Sequence, residues 1–227
     1  MTKSLRLSPR LSAAAELARP NSFISDVGTD HAYLPIFLCL EGKIRGGVVS
    51  DINQGPIDRA RDNIYMYGLE KSLTPVRADG LSGIERFSPE DIFILGMGGE
   101  LIASIIAAAP WTRREGIRLC LQPMTHPELL RAFLLENGYA IVEERLAEEE
   151  KIYQIILAEF KNTAERYSDA ELLLGKRNIE RGGDSLARLC EHELAVIERK
   201  ICGMEQARRD CDRERALAAQ IRKILER

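Results

Sequence analysis

From residue 8 to residue 160, apolar positions fall into short continuous runs that alternate with helical stripes. Leu7, Leu11, Ala14, Ala15 and Ala18 recur at helical spacing, with Ser8 as N-cap and Pro9 at the first helical position. A helix is therefore expected over about 8–18, stopped by Pro20-Asn21. The run Phe23-Ile24-Ser25-Asp26-Val27-Gly28 reads as a strand entering a tight turn, with a helix from about 34 to 41 after it. The same alternation predicts strands at 47–51, 73–78, 91–95 and 117–121, and helices at 56–67, 100–109 and 127–137. Two further runs, 139–144 and 152–160, flank Glu148-Glu149-Glu150 and are placed to pair as an antiparallel hairpin. Short apolar strands separated by helices imply a parallel sheet covered on both faces, and right-handed crossovers make it doubly wound. The expected fold is α/β, a Rossmann-like domain over residues 1–160.

Beyond Phe160 the pattern changes to dense charge with no strand-like run. Ala187, Cys190, Leu194, Ile197, Ile201 and Met204 recur at alternating three- and four-residue steps, and Leu217, Ile221 and Ile224 continue them. Residues 161–227 are thus expected to form a small α-helical coiled-coil hairpin, broken at Gly182-Gly183, with Gly203 and 208–212 as candidate turns. Such an arm grips a substrate, or else dimerises or only stabilises the fold.

Composition narrows the partners. With 45% hydrophobic and 30% charged residues the chain can bury a core. No stretch reaches the roughly 18–20 apolar residues of a membrane span, and Arg or Ser interrupts residues 1–18. A cytoplasmic protein with no membrane partner is expected, as a monomer or weak homodimer. The net charge of −3 divides into −5 over residues 1–160 (17 Lys+Arg, 22 Asp+Glu) and +2 over 161–227 (15 against 13). Neither half is polybasic, so any nucleic-acid contact must come from local patches. Cysteines 39, 120, 190, 202 and 211 form no CxxC pair and are expected to be buried reduced thiols. Cys190 and His192 point apart on a helix, so no metal is expected.

Ligands of an open parallel sheet bind outside the carboxyl ends of its strands. The first strand ends in Asp26-Val27-Gly28-Thr29-Asp30-His31, a turn that allows close backbone approach at Gly28 and leads into a helix N-terminus. Asp51, with Ile52 beside it, lies 23 residues past Gly28, the spacing of a ribose-binding acid. A dinucleotide would need three glycines at the first turn, whereas Asp30 stands where the second would fall and repels a pyrophosphate. S-adenosylmethionine, with its ribose and cationic amino-acid end, suits Asp26 and Asp30 better. Asp79-Gly80 ends the third strand, where a carboxylate can accept an adenine amino group. Gly96-Met97-Gly98-Gly99 follows the fourth as a loop with space for a planar acceptor, and Gln122-Pro123-Met124 ends the fifth, beside that ring. Each aspartate is equally a turn or capping residue, and His31 and His126 are equally structural histidines.

The segments DVGTDHAYLP (26–35), GMGG (96–99) and LQPM (121–124), with the E-R-L…E-E-x-K-x-Y pattern of 144–153, resemble the bacterial tRNA (adenine-22, N1)-methyltransferase family, the TrmK type. The resemblance covers about residues 4–160. It implies a class I methyltransferase sheet, S-adenosylmethionine as methyl donor and tRNA as substrate. Carried over by position, it implies cofactor contacts at Asp26, Gly28, His31, Asp51, Ile52, Asp79, Gly80, Gly96 and Met97. On the acceptor side it implies Tyr33, Gly98, Gly99, Gln122, Pro123, Met124 and Tyr153, with core packing the equal alternative for both tyrosines. Asp30 and His31, inside the cofactor turn, are the candidate catalytic pair. Lys3, Arg6, Arg10, Lys43 and Arg45 are the candidates for RNA grip, with ordinary solvated surface as their alternative. A small-molecule methyltransferase and a non-catalytic binding module use the same residues up to Gly80 and stay open on the sequence.

Overall fold

The computed structural model describes residues 5–163 and 165–226. The chain divides into two compact units between residues 165 and 166. In the first, each apolar run forms a strand: β1 (Ser22–Val27), β2 (Ile44–Asp51), β3 (Leu73–Arg77), β4 (Asp91–Met97), β5 (Arg118–Pro123), β6 (Tyr139–Glu148) and β7 (Ile152–Phe160). They join in the order β3-β2-β1-β4-β5-β7-β6. All neighbours among β1 to β5 are parallel, while β7 runs antiparallel to both β5 and β6. The sheet is therefore mixed, not wholly parallel. A tight hairpin can only reverse the chain, so its second strand must enter the sheet against the direction of the others.

Helices α1 (Pro9–Glu16), α2 (Tyr33–Leu40), α3 (Gln54–Met66), α4 (Gly99–Ala107) and α5 (Pro127–Glu136) occupy the expected segments to within about two residues. Ser8 stands at the N-cap of α1 with no side-chain capping bond, so Pro9 carries that start. Ala14, Ala15 and Ala18 of the α1 segment meet Ile24, Leu38, Phe93, Cys120 and Ile155 in one buried cluster. Small alanines bring the α1 backbone close to that face of the sheet. Strand side chains alternate between faces, so Gln154 lies opposite Ile155 and meets α5.

That second contact is polar. Arg131 of α5 donates from Nε to Glu144 Oε1 and from Nη2 to Gln154 Oε1, both at 2.7 Å, and the Arg131 and Glu144 side chains are fully buried. The pair pins α5 to the β6–β7 hairpin. At the other end of the sheet Arg19 donates its N–H and Nε to the buried Asp91, each at 2.8 Å, fixing the end of the α1 segment to the start of β4.

The second unit holds four helices among the described residues: α6 (Asp169–Leu174), α7 (Lys176–Arg181), α8 (Asp184–Gln206) and α9 (Asp212–Leu225). Sequence periodicity shows only the last two, because α6 and α7 are too short to display a repeat. Ser168 starts α6 with a capping box closed by Glu171. Gly182 and Gly183 separate α7 from α8. The hairpin turn lies at 207–211, and Gly203 is inside α8. Cys190, Ile197 and Ile221 of the expected seam are buried, but Leu186 and Leu189 widen it into a broader apolar face. Arg222 to Glu198 (2.6 Å) and Lys200 to Glu214 (2.7 Å) bridge α8 and α9.

Removing one partner of a fully buried ion pair strands the other charge, at a cost of about 3–5 kcal/mol. Arg131→Ala should lose stability on that scale in urea denaturation; a loss under about 1 kcal/mol would mean the pair does not hold α5 to the hairpin.

Candidate functional site

Parallel strands place the carboxyl ends of β1, β2, β3, β4 and β5 along one edge of the sheet. The reversal of β7 brings its first residues, and the 149–151 turn before them, to that same edge. The N-terminus of α1 arrives there too, since its far end is tied to the start of β4. A cleft of about 400 Å³ opens at this edge, lined among others by Arg10, Asp26, Gly28, His31, Tyr33 and Gly96.

Asp26 sits at its floor, buried, and desolvation pushes its carboxyl up from 3.8 to about 6 against the opposing effect of a Thr29 hydrogen bond. Thr29 Oγ1 in turn accepts the Ala32 N–H at 3.0 Å. The turn needs glycine at 28, where φ is +76° and a Cβ would collide with the Met97 methyl. Its amides do not form an anion cradle, because Gly28 and Thr29 both donate to the Ser50 carbonyl, at 2.8 and 3.0 Å. A buried carboxylate beside amides already in use fits a cationic ligand and not a pyrophosphate.

Asp30 does not share the floor with Asp26. Its side chain is 60% exposed and held by Arg59, whose Nε donates to Oδ1 at 3.0 Å. Its charge is already matched, which corrects the expectation that both aspartates face a cation. His31 Nε2 lies 3.2 Å from Asp30 Oδ2, and the imidazole stacks on Tyr33 at 5.0 Å with 9° between planes. Asp51 ends β2, and one of its oxygens accepts the Asn53 N–H at 2.7 Å. Ile52 is half exposed, and its carbonyl accepts from Arg77. Asp79 and Gly80 line a separate groove of about 630 Å³ with Leu101, Ile105 and Trp111. The expected cofactor residues thus share one sheet edge without sharing one cleft: Asp26, Gly28, His31 and Gly96 line the first, with Met97 over Gly28, Asp79 and Gly80 line the second, and Asp51 and Ile52 line neither.

The GMGG segment is not a loop. Gly96 and Met97 belong to β4, where the register against β5 shifts, Gly98 is the N-cap of α4 and Gly99 its first residue. Gly99 packs directly against the His126 carbonyl, a contact that admits no side chain. Pairing with β4 likewise carries β5 through Gln122 and Pro123.

The acceptor side is built from four segments. The buried Gln122 donates from Nε2 to the Pro123 carbonyl at 2.9 Å and accepts from Arg10 Nη1 at 3.0 Å. The Arg10 guanidinium lies 5.6 Å over the Tyr153 ring, and Lys151 Nζ lies 5.1 Å from that ring's centre. Tyr153 is 6% exposed, so it is a core residue, with Arg10 between its ring and the cleft. Glu149 accepts the Arg10 N–H at 2.7 Å, and Lys151 donates to the Met124 carbonyl at 3.1 Å.

The basic residues separate by location. Arg6 is exposed, while Arg10 points into the cleft. Lys43 just precedes β2 and Arg45 is its second residue, both at the opposite edge, where Lys43 Nζ caps the α1 carbonyls of Ala15 and Glu16 at 2.7 and 2.9 Å. Arg45 Nη1 likewise donates to the Asn21 carbonyl at 2.6 Å and to Glu90, so both cations are engaged at the edge away from the cleft. Lys3 lies outside the described residues. All five cysteines are free; Cys202 is exposed and Cys39 half-buried, so the expectation of uniformly buried thiols fails for these two. Among the described residues no cluster of His, Cys, Asp or Glu is arranged for a metal, and no helix is long and apolar enough to cross a membrane. Sequence reading missed Thr29, Arg59, Glu149 and Lys151 as parts of the site. Thr29 carries a local signal, a hydroxyl residue three before the N–H it accepts, whereas the other three arrive only through the fold.

Ionised Asp26 destabilises the ligand-free protein. Its folded value is raised, so the native state binds the extra proton between about pH 4 and 6; stability falls as pH rises through that window, by about 3 kcal/mol in all. Asp26→Asn should match the parent near pH 4 and exceed it at pH 8 by an amount of that order. Equal denaturation midpoints at pH 8 would place Asp26 in a solvated environment.

The whole arrangement has known counterparts. A family model described as a methyltransferase domain matches residues 7–156. The tRNA (adenine(22)-N(1))-methyltransferase of Bacillus subtilis (strain 168) is 34% identical over 172 residues, covering 75% of this chain and 72% of that protein. The crystal structure of the B. subtilis m1A22 tRNA methyltransferase TrmK matches with a TM-score of 0.82 and 28% identity, over 98% of this chain and 97% of that one. A Streptococcus pneumoniae protein solved in complex with S-adenosyl-L-methionine matches with a TM-score of 0.86 and 28% identity, over 97% and 100% of the two chains. By extent and identity, this chain belongs to the tRNA (adenine(22)-N(1))-methyltransferase family.

Proposed function

We propose that this protein methylates N1 of adenine in tRNA, at position 22 as its B. subtilis relative's name states, with S-adenosylmethionine as donor. The observation that carries the reading is the buried Asp26 at the end of β1, a carboxylate placed for a cationic ligand within a chain related to tRNA methyltransferases. When bound, S-adenosylmethionine supplies a sulfonium methyl to the adenine N1 lone pair and leaves as S-adenosylhomocysteine. Asp26 would receive the ammonium of its amino-acid end, the Asp51 oxygen not used by Asn53 would accept from the ribose, and Asp79 with Gly80 would border the adenine ring.

The N1 lone pair lies in the ring plane and is unprotonated at neutral pH, so no side chain must remove a proton before transfer. Asp30, matched by Arg59, and His31, stacked on Tyr33, therefore shape the wall of the cleft and do not serve as a base. Acceleration comes from positioning and from exclusion of water by the buried floor. N1 is on the Watson–Crick edge, so the base must leave its stack, at a cost of about a few kcal/mol that contacts elsewhere on the RNA must offset. Exposed Arg6 is a candidate for such a contact. The reaction sets the protein in the cytoplasm, where tRNA is modified.

Incubation with labelled S-adenosylmethionine and unmodified tRNA, followed by nucleoside mass analysis, should yield 1-methyladenosine. Cofactor binding without label in tRNA would contradict the RNA assignment. Asp51→Ala should weaken cofactor binding at least tenfold in calorimetry with an unchanged melting temperature, on the usual scale for a hydrogen bond to a charged group; parental affinity would remove Asp51 from the ribose.

A further inference from the structure

Behind Arg10, which lines the cleft, stands one group whose polarity is fixed. Gln122 is 1% exposed, and its Nε2 is engaged by the Pro123 carbonyl at 2.9 Å with Met124 Sδ at 3.5 Å. An amide held by its nitrogen must present its oxygen on the other side. That oxygen meets Arg10 Nη1 at 3.0 Å. A buried acceptor therefore lies beneath Arg10, open to the cleft only where Arg10 moves aside, and it leaves its partner no choice except to donate.

The group now on that acceptor has the shape of what would replace it. The Arg10 guanidinium is flat, carries N–H donors along one edge, lies over the Tyr153 ring, and passes 3.5 Å from where a Cβ on Gly96 would stand. An adenine ring is also flat, and its exocyclic N6 amino group is a donor one ring carbon away from N1. Glu149 lies beside Arg10, accepting its N–H at 2.7 Å with an oxygen 4.0 Å from Nε, so a displaced guanidinium has a carboxylate next to it.

Resting on the methyltransferase reading above, we propose that Gln122 determines base specificity by accepting the N6 amino group of the target adenine, and that Arg10 is the resident stand-in which the entering base displaces. Guanine and hypoxanthine set O6, an acceptor, against Gln122 Oε1 and are refused, because a buried acceptor left without a donor loses its whole hydrogen bond. Holding N6 at Gln122 turns the neighbouring N1 towards the end of β4. Arg10 then acts on entry of the base and not as a phosphate anchor, so its loss lowers, and does not raise, the RNA concentration needed for half-maximal rate.

The test compares tRNA transcripts carrying adenosine, purine riboside (N1 kept, N6 absent) or inosine at the methylated position. Each is assayed for kcat and KM with the parent, Gln122→Met and Arg10→Ala, and cofactor affinity is measured by calorimetry on all three proteins. The parent should prefer adenosine over purine riboside by at least tenfold in kcat/KM and give no product with inosine. Gln122→Met should lose rate on adenosine and bring that preference to within about threefold, with cofactor affinity unchanged. Arg10→Ala should show an RNA KM at or below the parent's. A preference preserved in Gln122→Met, or a several-fold rise of KM in Arg10→Ala, overturns the proposal while leaving the methyltransferase reading in place. A parent that binds cofactor and labels no adenosine transcript overturns both.

Discussion

A carboxylate removed from water at the end of the first strand is the constraint around which this protein is arranged. Asp26 is buried because β1 is central, flanked by β2 and β4, and because α1 and α2 cover the face on which its side chain lies. Such a position is unfavourable for an ion unless something positive joins it. Around it the neighbouring groups are already satisfied: the Gly28 and Thr29 amides by Ser50, Asp30 by Arg59, and Thr29 by Ala32. The unmatched charge at the floor is thereby concentrated on one residue, and a cationic ligand gains most where the ligand-free protein loses most.

The second organising feature is the reversed strand. Had β7 been parallel, Tyr153 would begin at the opposite edge; antiparallel, it stands at the cleft edge, with Glu149 and Lys151 in the turn before it. The Arg131–Glu144–Gln154 network locks this hairpin from the other face of the sheet. Packing on one side and chemistry on the other are thus linked through adjacent residues of β7, Tyr153 and Gln154, whose side chains alternate between the two.

Much of this was legible along the chain, because the fold rests on local signals. Alternating apolar runs and helical stripes, with Pro9 at the start of α1, mark the elements, and acids at successive strand ends mark Asp26, Asp51 and Asp79 as candidates. What periodicity could not carry was pairing. The extension of β4 through Met97 depends on β5 lying alongside, so GMGG read as a loop until the strands met. Arg10 looked like one more surface cation because its partners, Gln122 and Tyr153, are 112 and 143 residues away in sequence. Lys43 is no different along the chain, and only the fold sets its ammonium on the last carbonyls of α1. Gly203 and 208–212 both offer a turn along the chain, and the helix break falls at 207–211.

If the cofactor's ammonium meets Asp26, binding must be coupled to loss of the proton that burial retains. Titrating S-adenosylmethionine into the protein at pH 6 in two buffers of different ionisation enthalpy measures that coupling directly. With the carboxyl near 6, about half a proton should be released per cofactor bound, and none in Asp26→Asn. Binding with no proton release, or with equal release in the variant, would contradict the central place given to this carboxylate.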